Sequence, residues 1–219
     1  MTITAAIFDF GGVITASPFE AFNRLEATRG LPLDLVRTIN ATDPDANAWA
    51  LLERADITRA EFDARFAIEA AARGHALRGA DVLAVIAGAI RPGMVAALDT
   101  IRAAGLKLGC ITNNVPGGSG PAMAPDAASE SRYAAIFARF DHVIESAKAG
   151  VRKPDPRIYQ MMCDALDVAP EACVYLDDLG INCKPAAAMG MVAIKVTGEA
   201  QALKDLSQVL EIDLTGETP

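Results

Sequence analysis

The sequence predicts an α/β protein, in which a parallel β-sheet is flanked by helices and interrupted by a helical insertion. Short apolar runs bounded by glycine or polar residues are typical of buried parallel strands. Capped helical segments alternate with these runs from residue 91 onward, whereas residues 16–90 contain helical patterns and no convincing strand. A length of 219 residues fits one main domain, residues 1–15 and 91–219, with residues 16–90 as a smaller insertion.

The first predicted strand lies within Ile3–Ile14 and ends at Asp9, with Gly11 and Gly12 close behind. In open α/β sheets ligands bind just beyond the carboxyl ends of the strands, which is where Asp9 lies. The two glycines allow a tight turn and a close approach of a ligand to the main chain. Taken alone, this stretch is equally compatible with Asp9 as a ligand-binding residue and with Asp9 as the cap of a loop or helix.

The inserted segment shows two helix starts of the capping-box type. Ser17 with Glu20 is the first, and Thr58 with Glu61 is the second, which leads into Phe62 at helical spacing with later apolar residues. Trp49 is expected in the apolar core of the insertion rather than in a substrate wall, and His75 at its surface rather than as a proton donor. An insertion placed directly after the first strand is expected to sit above the carboxyl edge of the sheet.

The remaining elements follow in alternation. Helices are predicted for Met94–Ala104, 132–139, 156–166, Asn182–Met189 and Glu199–Leu210, and Asp155 is expected to cap the third of these. Strands are predicted at Leu106–Ile111, His142–Glu145, Ala172–Leu176 and Met191–Val196. The stretch Val115–Ser131, rich in Pro, Gly, Ala and Ser, is predicted as a long loop at the same sheet end as Asp9.

Composition excludes several classes of partner. A formal net charge of −8 and a pI of about 4.8 argue against nucleic acid and anionic membranes as partners. We find no run long enough to span a bilayer and no secretory signal pattern, so a cytoplasmic protein is expected. The four cysteines are Cys110, Cys163, Cys173 and Cys183, and none of them shows CxxC spacing. They are expected to be reduced and mostly buried, and no zinc site is expected.

Polar groups follow the predicted strands where each strand ends. Asp9, Thr112 and the pair Asp177-Asp178 come at or directly after strands, and Lys153 follows the third strand. Right-handed crossovers bring parallel strand ends to one edge of a sheet, so these groups are expected to converge. Carboxylates with an ammonium and a hydroxyl suit a site for magnesium and phosphate, because magnesium prefers hard oxygen ligands and the cation neutralises phosphoryl oxygens.

At these positions the sequence resembles the haloacid dehalogenase superfamily of hydrolases, in the subfamily with a helical cap. The order of the four motifs matches, and residues 16–90 lie where the cap lies. The last two motifs look especially like the phosphatase domains of soluble epoxide hydrolases and those fused to acyl-CoA dehydrogenases. The stretches that carry the resemblance are Phe8-Asp9-Phe10-Gly11-Gly12-Val13, Ile111-Thr112-Asn113-Asn114, Lys153-Pro154-Asp155-Pro156-Arg157-Ile158-Tyr159 and Leu176-Asp177-Asp178-Leu179-Gly180-Ile181-Asn182-Cys183-Lys184-Pro185-Ala186.

The resemblance implies a core sheet of strand order 5-4-1-2-3 and a phosphatase that uses an aspartyl-phosphate intermediate. Asp9 would be the nucleophile, since a carboxylate splits a difficult hydrolysis into two easier steps. It further implies a Mg²⁺ cofactor and a distribution of roles. Asp9, Asp178 and the Gly11 carbonyl would hold the metal, Thr112, Asn113, Lys153, Gly11 and Gly12 would bind the phosphoryl group, and Asp177 and Asn182 would support the acidic loop.

Gly11 departs from the pattern of most phosphatases of the superfamily, which carry an aspartate there as general acid and base. Because general acid–base help is worth roughly 100- to 10,000-fold, turnover is expected to be slow or to need another proton donor. The sequence thus predicts a magnesium-dependent phosphatase of a small phosphorylated metabolite, acting as a monomer or homodimer. The alternatives are a hydrolytic dehalogenase and a protein that binds phosphorylated ligands with negligible turnover.

Overall fold

Five parallel strands form one sheet at the centre of the structure, a computed structural model that describes residues 2–115 and 127–216. The spatial order is β3-β2-β1-β4-β5, which is the predicted order read from the opposite edge. The strands are β1 (Ala5–Phe8), β2 (Lys107–Thr112), β3 (His142–Glu145), β4 (Cys173–Asp177) and β5 (Val192–Lys195).

The register of the central strands determines where the chemistry lies. Phe8 in β1 is paired with Cys110 in β2 and with Leu176 in β4. Asp9 and Asp177 therefore follow neighbouring residues in adjacent strands and emerge at the same edge of the sheet. All residues of β1 and β4 are buried, as expected for strands covered by helices on both faces.

Helices cover the sheet on both faces and also fill the inserted segment. One apolar cluster involves β1, α6, α7 and α11, and another packs α9 and α10 on the opposite face. The helices are α1 (Pro18–Thr28), α2 (Leu35–Ala41), α3 (Ala48–Glu53), α4 (Arg59–Ala71), α5 (Gly79–Leu83), α6 (Pro92–Ala103), α7 (Ala127–Phe137), α8 (Ser146–Ala149), α9 (Pro156–Leu166), α10 (Gly180–Ala188) and α11 (Glu199–Leu210). No helix in the described ranges is both long and apolar enough to cross a bilayer.

The inserted helices α1 to α5 have an apolar core of their own, which includes Phe22, Phe62 and Phe66. The chain enters and leaves this segment through two connections that are hydrogen-bonded to each other. Thr15 and Ile90 form an antiparallel bridge, and the Ala16 N–H donates to the Ala89 carbonyl at 2.7 Å. We propose on this basis that residues 16–90 form a cap on a core made of residues 1–15 and 91–219.

Local sequence signals were correct at some helix starts and wrong at others. The capping box of Thr58 and Glu61 is present, and Asp155 caps α9 by accepting from the Arg157 N–H. The predicted capping box of Ser17 and Glu20 is wrong, because the Ser17 hydroxyl donates to the Asp178 carboxylate at 2.7 Å instead. A distant charged acceptor has therefore displaced the local cap.

The region between β2 and β3 also differs from expectation. Helix α7 begins at Ala127 rather than near residue 132, so the end of the predicted loop Val115–Ser131 is helical. Its sequence, Ala-Ala-Ser-Glu-Ser, is rich in alanine, which has the highest helix propensity. Residues 116–126 lie outside the described residues. The short helix α8, directly after β3, was not predicted.

Candidate active site

Three carboxylates meet at the carboxyl edge of the sheet. Asp9 follows β1, Asp177 is the last residue of β4, and Asp178 comes next in the chain. Each offers an oxygen within 4.8 Å of an oxygen of the other two. The predicted convergence of these acidic residues is therefore observed.

Lys153 supplies the positive charge of this cluster. Its ammonium lies 2.8 Å from Asp9 Oδ1 and 2.8 Å from Asp177 Oδ2, and its side chain is only 1% exposed. Burial alone would lower the pKa of Lys153, but the attraction of Asp177 and Asp9 outweighs burial and raises that pKa above its ordinary value. Lys153 is therefore charged at every physiological pH.

Asp177 is saturated with hydrogen bonds and lies behind the other two carboxylates. It is fully buried, and besides Lys153 it accepts from the Tyr175 hydroxyl at 2.5 Å, the Asn182 amide at 3.1 Å and the Leu179 N–H at 2.8 Å. Because these donors occupy its oxygens, Asp177 orients Lys153 and the other groups that surround it. Tyr175 was not anticipated, although its position two residues earlier in the same strand places it on the same face of the sheet.

Asp9 and Asp178 face an open cavity, and both carry raised pKa values. For Asp9 burial raises the pKa most, Lys153 lowers it, and Asp177 and Asp178 raise it further. For Asp178 burial again raises the pKa, while the hydrogen bond from Ser17 lowers it. Three carboxylates that converge with the Lys153 ammonium among them suit the binding of an additional cation.

The two glycines after Asp9 have different constraints. Gly12 has φ +81°, and a Cβ there would lie 2.2 Å from Asp178 Oδ2, so this position requires glycine. Its backbone carbonyl accepts from Arg91 at 2.7 Å. Gly11 is not in the left-handed region, and a Cβ there would meet nothing within 4 Å. A side chain at position 11 is therefore sterically acceptable.

Thr112 and Asn113 bring the second predicted motif to the same place. Thr112 ends β2 and lines the cavity together with Asn113. The Asn113 side chain accepts from the Lys153 N–H at 2.9 Å and donates to the Lys153 carbonyl at 3.1 Å. These two hydrogen bonds tie the loop after β2 to the segment that carries the ammonium.

The cavity has a volume of about 460 Å³ and lies between the sheet edge and the inserted helices. One end is polar and includes Asp9, Gly11, Lys153 and Asp178. Apolar side chains from both parts of the chain also line the cavity and are called the apolar wall here: Pro18, Phe19, Phe22, Trp49, Ile86, Tyr133 and Ile181. Charged residues, among them Arg37, Asp45 and Arg152, line it as well. The Arg37 guanidinium lies 4.0 Å from the centroid of the Phe19 ring at this wall.

Trp49 and His75 line different cavities of the structure. Trp49 packs against the apolar core of the insertion, as expected, and it also lines the cavity. His75 lines a separate cleft together with Arg29 and Arg78, so it does not reach the acidic cluster in this arrangement. The four cysteines are buried thiols.

Besides Tyr175, three residues at the site have roles that the sequence analysis did not predict: Ser17, Glu53 and Arg152. Ser17 holds Asp178, and Glu53 of α3 forms an ion pair with Arg152 at 2.6 Å. Local patterns do not reveal these roles, because each residue acts on a partner far along the chain. The signal that could have found them is their position in the fold, where the insertion meets the sheet edge.

The family model described as haloacid dehalogenase-like hydrolase matches residues 3–190. The chain belongs to this family. Curated relatives include acyl-CoA dehydrogenase family member 10 of Mus musculus, 31% identical over 96% of this chain and 19% of the relative, and bifunctional epoxide hydrolase 2 of Mus musculus, 30% identical over 95% of this chain and 39% of the relative. The chain thus spans about a fifth and about two fifths of these two relatives.

A further relative of this haloacid dehalogenase-like hydrolase matches over nearly its whole length. Phosphatase MT3486 of Mycobacterium tuberculosis is 31% identical over 95% of this chain and 96% of the relative. Among solved structures, a predicted HAD-like family hydrolase of Porphyromonas gingivalis superimposes with a TM-score of 0.66 at 19% identity, covering 96% of this chain and 98% of the other. A HAD family enzyme of Bacteroides thetaiotaomicron, in complex with magnesium and inorganic phosphate, gives a TM-score of 0.56 at 17% identity, covering 88% and 93%. These structures share the fold.

Proposed function

We propose that this hydrolase is a magnesium-dependent phosphatase that cleaves a phosphomonoester through Asp9. The observation that carries the proposal is the pairing of Asp9 with the buried Lys153 ammonium at 2.8 Å, at the polar end of a cavity that Asp178 and Thr112 also line. A carboxylate nucleophile, a fixed cation and a second carboxylate are the groups that phosphoryl transfer to an aspartate requires. The phosphatase name of the full-length relative supports the same reaction.

The residues present fit a magnesium ion. The carboxylates of Asp9 and Asp178 and the carbonyl of Gly11 would hold it, and the absence of a side chain at Gly12 keeps the approach to Asp178 clear. Bound magnesium would supply positive charge that neutralises the phosphoryl oxygens. The HAD family enzyme of Bacteroides thetaiotaomicron, which shares the fold, was solved in complex with magnesium and inorganic phosphate, and this is in line with the assignment.

The protein groups divide the remaining work. A carboxylate oxygen of Asp9 attacks phosphorus, and the bond to the leaving oxygen breaks as the new oxygen–phosphorus bond forms. The Lys153 ammonium, the Thr112 hydroxyl and the Asn113 backbone N–H bind the phosphoryl oxygens, with Gly11 and Gly12 allowing close approach. Water then attacks the phosphorus of the aspartyl phosphate, the bond between phosphorus and the Asp9 oxygen breaks, and inorganic phosphate leaves with Asp9 regenerated as a carboxylate. Asp177 and Asn182 hold Lys153 and the acidic loop in place.

The apolar wall indicates the kind of phosphomonoester. Phe19, Phe22 and Trp49 can cover a hydrocarbon or aromatic group, and burying such a group is worth about 25 cal/mol per Å². The cavity of about 460 Å³ lies in the range usual for small-molecule sites. We infer an alkyl or aryl phosphate rather than a highly hydroxylated sugar phosphate.

A phosphate-release assay tests the proposal against its two alternatives. The enzyme is incubated with p-nitrophenyl phosphate, with Mg²⁺ or with EDTA, and in parallel with a 2-haloacid. We expect p-nitrophenol release that requires Mg²⁺ and no halide release. Metal-independent halide release would instead identify a dehalogenase. Phosphate binding without turnover would identify a binding protein.

Asp178→Ala is expected to weaken magnesium binding by about tenfold or more, because it removes one of two side-chain carboxylates proposed to contact the ion. Isothermal titration calorimetry of Mg²⁺ measures this without turnover. Asp164→Ala, an exposed aspartate on α9, is the matched control and should bind as the wild type does. Unchanged affinity in Asp178→Ala would remove Asp178 from the metal site.

Gly11→Asp is expected to accelerate hydrolysis of alkyl phosphates by up to ~100-fold, because a carboxyl group there could protonate a poor leaving oxygen. p-Nitrophenyl phosphate, whose leaving group hardly needs a proton, should show little change. The position accepts a side chain without steric conflict. Steady-state kinetics on both substrates, after a thermal melt, provide the measurement.

The matched control for Gly11→Asp is Gly198→Asp, since a Cβ at Gly198 also meets nothing within 4 Å and Gly198 lies at the start of α11. It should leave both substrates unaffected. A folded Gly11→Asp variant that binds Mg²⁺ but gains nothing on alkyl phosphates would show that another group already supplies the proton.

A further inference from the structure

Glu53, the last residue of α3, reaches from the inserted helices to the loops at the polar end of the cavity. Its side chain is 8% exposed. Its Oε2 accepts from Arg152 Nε at 2.6 Å and from Asn113 Nδ2 at 3.3 Å. Its Oε1 accepts from Trp49 Nε1 at 2.8 Å. One carboxylate therefore joins the Trp49 indole of the insertion to two residues of the part that contains the sheet, residues 1–15 and 91–219.

The backbone of Glu53 is anchored at the same place. Its carbonyl accepts from the Ser146 hydroxyl at 2.6 Å, and Ser146 is fully buried at the start of α8. The Ser146 oxygen also accepts from the Asn114 N–H at 3.1 Å. Both ends of Glu53 are thus connected to the loop that follows β2.

The partners of Glu53 line the same cavity. Asn113 is hydrogen-bonded to both backbone groups of Lys153, whose ammonium pairs with Asp9. Trp49 forms edge contacts with Phe22 and Phe62 and lines the apolar wall. A short chain of contacts therefore runs from the wall that would hold the organic group to the groups that would hold the phosphate.

A purely stabilising ion pair explains this arrangement poorly. Taking a carboxylate and a guanidinium out of water costs free energy that their attraction only partly returns. A hydrophobic contact would join the two parts of the chain at lower cost. The use of both carboxylate oxygens on three donors, all in residues that line the cavity, indicates a positioning role instead.

We propose that Glu53 is a positioning residue, which holds Asn113 at the phosphate end and Trp49 at the apolar wall in the one arrangement that binds both halves of a substrate. This role rests on the proposed phosphatase function. Glu53 does not contact the reacting atoms and acts through Asn113 and Trp49. A misplacement of about 1 Å in such groups can lower a rate by roughly 100-fold.

Glu53→Gln tests the role, because glutamine has the same shape but only one acceptor oxygen, so either Trp49 or Arg152 loses its partner. We expect kcat/KM for an alkyl phosphate to fall about 10- to 100-fold in a variant that remains folded at the assay temperature, with some loss of Tm because a buried donor loses its acceptor. Trp49 is the single tryptophan of the chain, so its fluorescence reports on the wall. We expect Mg²⁺ with inorganic phosphate to change this fluorescence in the wild type and not in Glu53→Gln.

Two further variants separate positioning from general stability. Glu69→Gln makes the same chemical change at the other end of α3, where Glu69 accepts from the Ala48 N–H at 2.8 Å. It should keep kcat/KM within twofold and retain the fluorescence response. Ser146→Ala removes the backbone anchor and leaves the carboxylate. It should therefore lower Tm, and it should lower kcat/KM less than Glu53→Gln does. Equal losses of kcat/KM in Ser146→Ala and Glu53→Gln, or wild-type kcat/KM in Glu53→Gln, would overturn the proposal.

Failure of the phosphatase proposal itself is distinguishable. If the wild type releases no phosphate from any phosphomonoester, the proposed function fails, but hydrogen exchange still tests Glu53 without a substrate. Faster amide exchange of residues 112–115 in Glu53→Gln than in the wild type and in Glu69→Gln would support the positioning of this loop by Glu53. Equal exchange in all three proteins would overturn it.

Discussion

Asp9→Asn is expected to abolish phosphomonoester hydrolysis, with a fall in kcat of at least ~1,000-fold. The amide has nearly the same shape as the carboxylate and can still accept from the Phe10 N–H and from Lys153, but it cannot attack phosphorus. Steady-state kinetics at saturating Mg²⁺ measure the loss. The exposed Asp164→Asn is the matched control and should retain wild-type kcat.

The same variant makes a separate prediction about stability. Burial and the neighbouring carboxylates raise the pKa of Asp9, so its charged form opposes folding. Stability from this group is fully present below the unfolded pKa of about 3.9 and is lost as the pH rises through the higher folded pKa. In metal-free buffer at pH 7, Asp9→Asn should therefore melt at or above the wild-type Tm, and the difference should shrink towards pH 4.

Near-native turnover in a folded Asp9→Asn enzyme would disprove the covalent mechanism.

Lys153→Met is expected to remove activity and to destabilise the protein by about 3–5 kcal/mol at pH 7. The change leaves Asp9 and Asp177 buried without their shared counter-charge, which is the costly way to break a buried ion pair. Loss of Lys153 also removes the main influence that lowers the pKa of Asp9. Part of the lost stability should return as the pH falls and Asp9 takes up a proton. Urea unfolding at pH 7 and pH 5 measures both effects.

Lys148→Met is the control for that experiment. Lys148 also forms an ion pair with a carboxylate, Glu145 at 2.5 Å, but its side chain is 76% exposed. Exposed pairs typically contribute less than about 1 kcal/mol, so this variant should unfold nearly as the wild type does. Equal destabilisation of the two variants would mean that Lys153 owes its effect to something other than the buried carboxylates.

Much of the sheet domain was predictable, because its strands are buried and therefore form distinct apolar runs. The bounds of β3 and α11 agree with prediction, and the other strands differ by a residue or so at their ends. Asp9, Lys153 and Asp178 could be expected to converge since parallel strands place their carboxyl ends on one edge. That prediction depended on where these residues lie relative to the ends of the strands and on no detailed geometry.

Contacts between the insertion and the sheet domain were not predictable from local pattern. Ser17 and Asp178 are separated by 161 residues, and Glu53 and Arg152 by 99. For Ser17 the local rule indicated a helix cap, and a charged partner brought close only by the fold prevailed. Glu53 has no sequence signature at all, since a glutamate at a helix end is ordinarily a solvated residue.

Detection of a phosphorylated Asp9 tests the central proposal most directly. The enzyme is mixed with an excess of p-nitrophenyl phosphate and Mg²⁺, quenched in acid within the first turnovers, digested and examined by mass spectrometry. We expect one added phosphoryl group on the peptide that contains Asp9, absent without Mg²⁺ and absent in Asp9→Asn. Sustained hydrolysis with the phosphoryl group on another residue, or turnover of Asp9→Asn at the wild-type rate, would contradict the assignment of Asp9 as nucleophile.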